Sequence, residues 1–299
     1  MKFDLTSDLH LDFWIASHWS PQKQEMHMRN FIESLLPEDK SDTLVIAGDV
    51  GHYNVQNALF LKTARTYYNN VIWVHGNHDL YLVSNSIKKT FHWNSFERLD
   101  NMIELSSKID GVHYLDGTFV EVDGMKIGGC GMWYNYDYAK EVWNMDDRGS
   151  ELLWNKVLND SNLIHVPDKA GMVNQINNLE YHAEQRLKMD SVYPMCDVVV
   201  SHIMPTWEKL YEKWKDPSTT FYCFDGRDIL STLSDKNVWV HGHTHDNYFY
   251  QTESGCQVVC NPVGYPFDYP GGKVNGTAKF LTIDVGNIKS YEDVFKDIE

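Results

Sequence analysis

The stretch LVIAGDVGHY, residues 44–53, decides how the rest of the chain is read. Leu44 to Ala47 form a short apolar run with β-branched side chains, the pattern of a buried strand. The run stops at Gly48, a carboxylate follows at once as Asp49, and Gly51 and His52 come next. A lone acid after a strand is usually a turn former or a helix cap. A reason to expect more comes from the rest of the chain, where the same punctuation recurs.

Predicted strands cover residues 2–6, 43–47, 71–75, 118–122, 125–128, 197–201, 238–241, 248–252, 257–260 and 279–284. Helical patterns cover 21–36, 55–68 and roughly 171–189, the last with Ile176, Leu179, Ala183 and Leu187 at three- and four-residue steps. Strands alternating with amphipathic helices give an α/β class, and antiparallel-looking strands in the second half point to a mixed sheet or a pair of sheets. Repeats and linkers are lacking, so 1–299 reads as one domain. Two aromatic, polar segments, 131–190 and 205–227, read as lid or pocket-wall elaborations.

Five of the strands end in residues that bind metals or move protons. Asp8 and His10 follow the first strand and Asp49 the second; Asn77, His78 and Asp79 follow the third. Later come His202 and then His241, His243 and His245. Active sites of α/β sheets lie beyond the carboxyl ends of strands, so the placement is meaningful. Carboxylates, imidazoles and an amide oxygen, with no thiolate, suit divalent ions of intermediate hardness. Seven donors (Asp8, His10, Asp49, Asn77, His202, His243 and His245) exceed the needs of one tetrahedral ion but match two ions that share a ligand. Asp49, with two oxygens at a strand tip, is the candidate bridge. The remaining histidines, at 18, 27, 92, 113, 165 and 182, read as surface or packing residues, and Trp73 and Trp239 as core.

The ordered motifs DLH, GD, GNHD, SH and GHTH, from Asp8 to His245, resemble the calcineurin-like metallophosphoesterase superfamily. VVCNPVGYP at 258–266 and GGCGMWYNYD at 128–137 resemble its small cytosolic bacterial and phage members. The resemblance implies a four-layer α-β-β-α sandwich of two mixed sheets flanked by helices. It also implies one metal on Asp8, His10, Asp49 and His245, a second on Asp49, Asn77, His202 and His243, and His78 as general acid. The expected cofactors are two divalent ions, manganese first, with iron, zinc, nickel or cobalt as alternatives. Two cations about 3.5–4 Å apart hold a hydroxide between them and spread the charge of an in-line displacement.

The chain departs from the family at one place. Many members carry G-D-x-x-D, and His52 stands where the second acid would be. His52 is expected either to donate to a phosphate oxygen or to pack on Tyr53. Asp79 and Asp246 are expected to orient neighbouring imidazoles or to cap loops. An arginine after the GD motif and a GNHE motif are both missing, which argues against a protein serine/threonine phosphatase.

Composition narrows the partners. With 26 basic and 42 acidic residues the formal charge is −16, a field that repels long nucleic acid but not a small anion drawn to bound cations. Five scattered cysteines make no disulfide framework, and no basic-then-apolar leader or membrane-length run is present, so the expected setting is cytoplasmic. The expected function is hydrolysis of a small, nucleotide-like phosphomonoester or phosphodiester at a dinuclear centre. A nuclease or nucleic-acid end-processing phosphoesterase and a catalytically inactive scaffold are the alternatives.

Overall fold

Thr43–Ala47 is the middle strand of a five-stranded sheet, and all of its residues are buried. Burial on both faces is why its sequence is an unbroken apolar run rather than an alternation. A computed structural model of the chain describes residues 1–274 and 278–286. Numbered in chain order, the strands are β1 (Lys2–Thr6), β2 (Thr43–Ala47), β3 (Asn70–Val74), β4 (Val112–Tyr114), β5 (Thr118–Val122), β6 (Met125–Gly129) and β7 (His165–Pro167). The rest are β8 (Val173–Gln175), β9 (Val198–Val200), β10 (Val238–His241), β11 (Tyr248–Gln251), β12 (Gln257–Cys260) and β13 (Leu281–Asp284).

The first sheet has the order β13-β1-β2-β3-β4, parallel except for β13. The second has the order β11-β12-β10-β9-β6-β5, parallel in its middle and antiparallel at both edges. Phe3, Leu5, Val45, Ala47, Ile72 and Val74 of the first sheet share one buried cluster with Val198, Val200, Val238, Val240 and Val259 of the second. The alternate residues Leu44, Ile46, Val71 and Trp73 belong to a second cluster that includes the helix residues Met28, Ile32, Phe60 and Leu61. Each such side chain contributes about 1.5–3 kcal/mol on burial, so the alternation fixes the stacking of two sheets between helical layers. The four-layer sandwich is therefore the fold of the chain. Trp73 and Trp239 are fully buried, as expected.

The first crossover shows how local sequence sets the layers. Helix Pro21–Leu35 starts where Ser20 Oγ accepts the Lys23 N–H and Pro21 opens the first turn. Its buried face is Met28, Phe31, Ile32 and Leu35, and it stops before Pro37, which disfavours helix at the preceding residue.

The expected helix over 171–189 is not found as such. Residues 173–175 form β8, which pairs with β7, and the helix runs Asn178–Val192 from an N-cap at Asn177. Its buried residues are Asn178, Tyr181, Gln185, Met189 and Val192, while Leu187 is 73% exposed. The face turned inward is partly polar because its groups find partners. Asn178 Oδ1 accepts from Trp133 Nε1 at 2.9 Å, and Tyr181 Oη lies 2.8 Å from His75 Nε2. Counting apolar residues alone selects the wrong face. The helix expected over 55–68 is Asn54–Ala64, and β4, β7 and β8 are strands that the pattern missed.

Candidate metal centre

The loops after β1, β2, β3, β9 and β10 meet at one rim, and the backbone there is unusual. Asp8, His10, Asp49, His243 and His245 all have positive φ, between 42° and 70°. Left-handed non-glycine residues cost roughly 1–3 kcal/mol each and persist where the surroundings over-determine them. Gly48 and Gly76 fill positions that no side chain could. A Cβ on Gly48 would lie 2.3 Å from His202 Nδ1, and one on Gly76 2.2 Å from Asp49 Oδ1.

These turns bring all seven predicted donors together. Among the described residues, donor atoms of Asp8, His10 and His245, of His10, Asp49 and His78, and of Asp49, His202 and His243 lie within 4.8 Å of one another. Asp49 Oδ2 is 3.8 Å from His10 Nε2 and 3.4 Å from His202 Nε2, so one oxygen faces both groups. In the first group His10 Nε2 and His245 Nε2 are 3.0 Å apart. His245 Nε2 is also 3.5 Å from Asp8 Oδ1. In the second, His202 Nε2 is 3.2 Å from both His243 Nδ1 and Asn77 Oδ1. Buried carboxylates and ring nitrogens converging in this way fit divalent cations.

Outer partners fix which atom each ligand presents. Nδ1 of His202 sits 2.8 Å from Ala47 O and Nε2 of His243 sits 3.0 Å from Phe221 O, leaving the other nitrogen of each ring for the centre. Asn77 Nδ2 donates to Asp160 Oδ1 at 2.9 Å, which turns the amide oxygen inward. The buried Asp160 carboxylate also accepts from the hydroxyls of Tyr81 and Tyr134. Asp268 Oδ2 stands 3.6 Å from His245 Nδ1.

Electrostatics follow from these contacts. Burial favours a neutral Asp8, yet hydrogen bonding and charge from His245 and the charge of His202 hold it well below the usual carboxylate range. Burial would lower His202 too, but the charge and hydrogen bond of Asp49 carry it up to about 9. His245 rises to about 10 against the same burial, through Asp268 and Asp8. His10 and His243 are depressed, by burial first and by neighbouring imidazoles second, His243 to about 3.

His78 lies beside the centre, its ring 4.5 Å from that of His10 and its Nε2 3.4 Å from the Tyr265 hydroxyl. The His52 ring packs on His78 and Tyr81 and does not line the cavity beside the centre. Its Nε2 meets His78 Nδ1 at 2.8 Å and its Nδ1 meets Asp12 Oδ2 at 2.8 Å. Asp79 orients no imidazole. Its Oδ2 accepts the backbone N–H groups of Asp49 (3.0 Å) and Gly76 (2.8 Å), tying two strand tips together. Asp246 likewise serves Lys213 and Trp214 rather than a histidine. His75 bonds two tyrosines away from the ligands, and none of the six remaining histidines joins the donor groups.

The centre opens into a cavity of about 620 Å³ lined by both elaborations, with Val157, Leu158 and Asn159 from the first and Lys213, Trp214 and Tyr222 from the second. Tyr265 and Phe267, stacked on each other, also line it. Sequence reasoning missed Asp12, Asp160, Tyr265 and Asp268. Tyr265 lay within the quoted VGYP and Asp12 two residues beyond DLH, whereas Asp160 carried no local signal.

A sequence model described as calcineurin-like phosphoesterase matches residues 1–247. Among solved structures, the phosphopantetheinyl hydrolase of Mycobacterium tuberculosis matches with a TM-score of 0.69 at 19% identity, over 94% of this chain and 95% of that one. The protein TT1561 of Thermus thermophilus matches with a TM-score of 0.50 at 12% identity, over 95% and 94%. At these identities the likeness is one of fold. No curated protein sequence matches significantly.

Proposed function

The chain belongs to the calcineurin-like phosphoesterase family, whose reaction is metal-dependent phosphoester hydrolysis, and on that premise we propose a small, nucleotide-sized phosphate ester as its substrate. The observation that carries the reading is the position of Asp49 Oδ2 between the two imidazole groups, on the floor of a walled cavity. Asp8, His10, Asp49 and His245 would hold one divalent cation, manganese by preference. Asn77, His202 and His243 would hold a second together with Asp49. When bound, such cations make water acidic enough to attack and offset the charge that grows on phosphoryl oxygens.

The chain's own groups do the rest. His78 presents Nε2 to the cavity and would hand its proton to the departing oxygen, so that an alcohol leaves instead of an alkoxide, a contribution of about 10²–10⁴-fold. Tyr265 stacks on His10 with centroids 4.3 Å apart and places its hydroxyl at the same nitrogen, where it orients that oxygen. Trp214, Tyr222, Tyr265 and Phe267 suit a flat or apolar organic group. Lys213, the one Lys or Arg among the described lining residues, is engaged by Asp246 at 2.8 Å. A substrate with one phosphoryl group therefore fits better than a polyphosphate.

In this reading 1–299 is one domain whose segments 131–190 and 205–227 serve as pocket wall. Five buried free cysteines accord with a reducing, cytoplasmic setting. Among the described residues no helix is long and apolar enough to cross a membrane.

The test is metal analysis followed by a manganese-supplemented screen of monoesters, diesters and cyclic esters, with a phosphopantetheinyl ester included after the name of the M. tuberculosis relative. Two ions per chain and turnover of a single-phosphoryl ester are expected. Absence of both metal and turnover would make the chain a scaffold.

A further inference from the structure

We propose that Asp246 is a positioning residue that sets substrate selectivity. It pins the turn Glu212–Trp214 to the rim of the metal centre and so fixes Trp214 as the wall against which the organic group of the ester rests. This rests on the reading of the cavity as the site of a phosphate ester.

Residues 211–215 are all exposed, although Lys213 and Trp214 line the cavity. A turn that buries so little gains no fixed position from apolar packing, and its place has to come from directed contacts. Asp246, the residue after His245, supplies them with both oxygens. Oδ1 accepts from Lys213 Nζ at 2.8 Å and Oδ2 accepts from Trp214 Nε1. Lys213 Nζ also stands 4.9 Å from the centroid of the Trp214 ring, so carboxylate, ammonium and indole form a closed triangle. Alongside, Tyr211 Oη donates to Asn247 O at 2.8 Å and its ring stacks on Tyr248 at 4.8 Å and 16°. The wall is thereby registered to the loop that carries His245.

The two bonds of Asp246 are not equal. The Lys213 side chain is 58% exposed, and an ion pair so open to water contributes little. The indole nitrogen has a single hydrogen, and giving it to Asp246 fixes the direction in which the ring lies. With the ring held and Lys213 already paired, this wall selects by the shape of the organic group rather than by its charge. Ligands of equal charge and different shape therefore read the effect.

Asp246→Ala tests the fastening in the full chain. Within the turn the Trp214 N–H donates to Tyr211 O at 2.9 Å and the Lys215 N–H to Glu212 O at 3.2 Å. Hydrogen exchange of peptides spanning 208–216 is expected to quicken about 10-fold, the effect of losing one hydrogen bond to a charged group. Selectivity is read by calorimetry on the manganese-loaded chain with phenylphosphonate and methylphosphonate, which carry the same charge and have no ester bond to hydrolyse. The preference for phenyl over methyl is expected to fall about 3–10-fold, the range of an aromatic contact. Methylphosphonate, with no flat group to place, should keep its affinity within about twofold, and metal content should hold. Trp214→Ala should lose the same preference, and the double variant no more than Trp214→Ala alone, because Asp246 acts through that ring. Unchanged exchange in 208–216, equal losses on both phosphonates, or additive losses in the double variant would each overturn the proposal. If neither phosphonate binds the wild type, the phosphoesterase reading fails, and the exchange measurement alone decides whether Asp246 holds the turn.

Discussion

The protonation of two ligands gives the sharpest consequence at the scale of single residues. Without cations His202 and His245 are raised to about 9 and about 10, so both carry a proton at neutral pH. A metal needs the bare nitrogen, and loading must therefore expel these protons. Release of close to two protons per chain is expected at pH 7, read from calorimetric titrations in buffers of different ionisation heat. Because the folded-state values lie above neutrality, affinity should climb with pH by up to about tenfold per proton per unit and level off above pH 10. A flat profile between pH 6 and 9 would contradict the assignment of both ligands. The seven donors were readable because each follows a predicted strand and their order is shared with a family. Asp160 was not, since it is 83 residues from the Asn77 amide that it orients and sits in a segment without periodic pattern. The second acid that many family members keep is His52 here, and Asp12, in the short helix Leu11–Trp14, meets that imidazole from behind.

Among the elements, strands were more legible than helices. A buried strand writes an apolar run of its own length, and β1, β2, β5, β10 and β12 have the expected bounds. Helix Asn178–Val192 hides its inward face because that face spends Asn178, Tyr181 and Gln185 on hydrogen bonds and packing while Leu179 and Leu187 stay outside. The two faces separate in stability measurements. Met189→Ala, at a fully buried site, should cost about 2–5 kcal/mol. Leu187→Lys, at 73% exposure, should stay within about 0.5 kcal/mol. Denaturant titrations of the two variants check the assignment, and the opposite ranking would restore the apolar face read from the sequence.

For the whole molecule, a formal charge of −16 acts on every anion that approaches. Long-range repulsion slows encounter, and salt screens it, so kcat/KM on a small phosphate ester should rise between about 10 and 150 mM salt. A nucleic-acid processing enzyme that relied on a basic groove would show the opposite slope. Stopped-flow or steady-state rates at fixed metal concentration distinguish the two. The fold class was legible at this scale because short apolar strands alternate with helices along the chain. The shape of the cavity was not, since its walls come from segments 131–190 and 205–227, whose aromatic residues carry no periodicity.

The span of chain that separates the ligands has a consequence for biosynthesis. His10 and His245 meet across 235 residues, and Asp49 must wait for His202 and His243 before the second donor group is complete. Chains emerge from the ribosome amino end first. A growing polypeptide therefore carries Asp8, His10, Asp49 and Asn77 for most of its synthesis without the later ligands of either proposed ion. Capture of the full pair of ions becomes a closing event of maturation, since a chain interrupted before residue 202 lacks three of the seven donors, His202, His243 and His245.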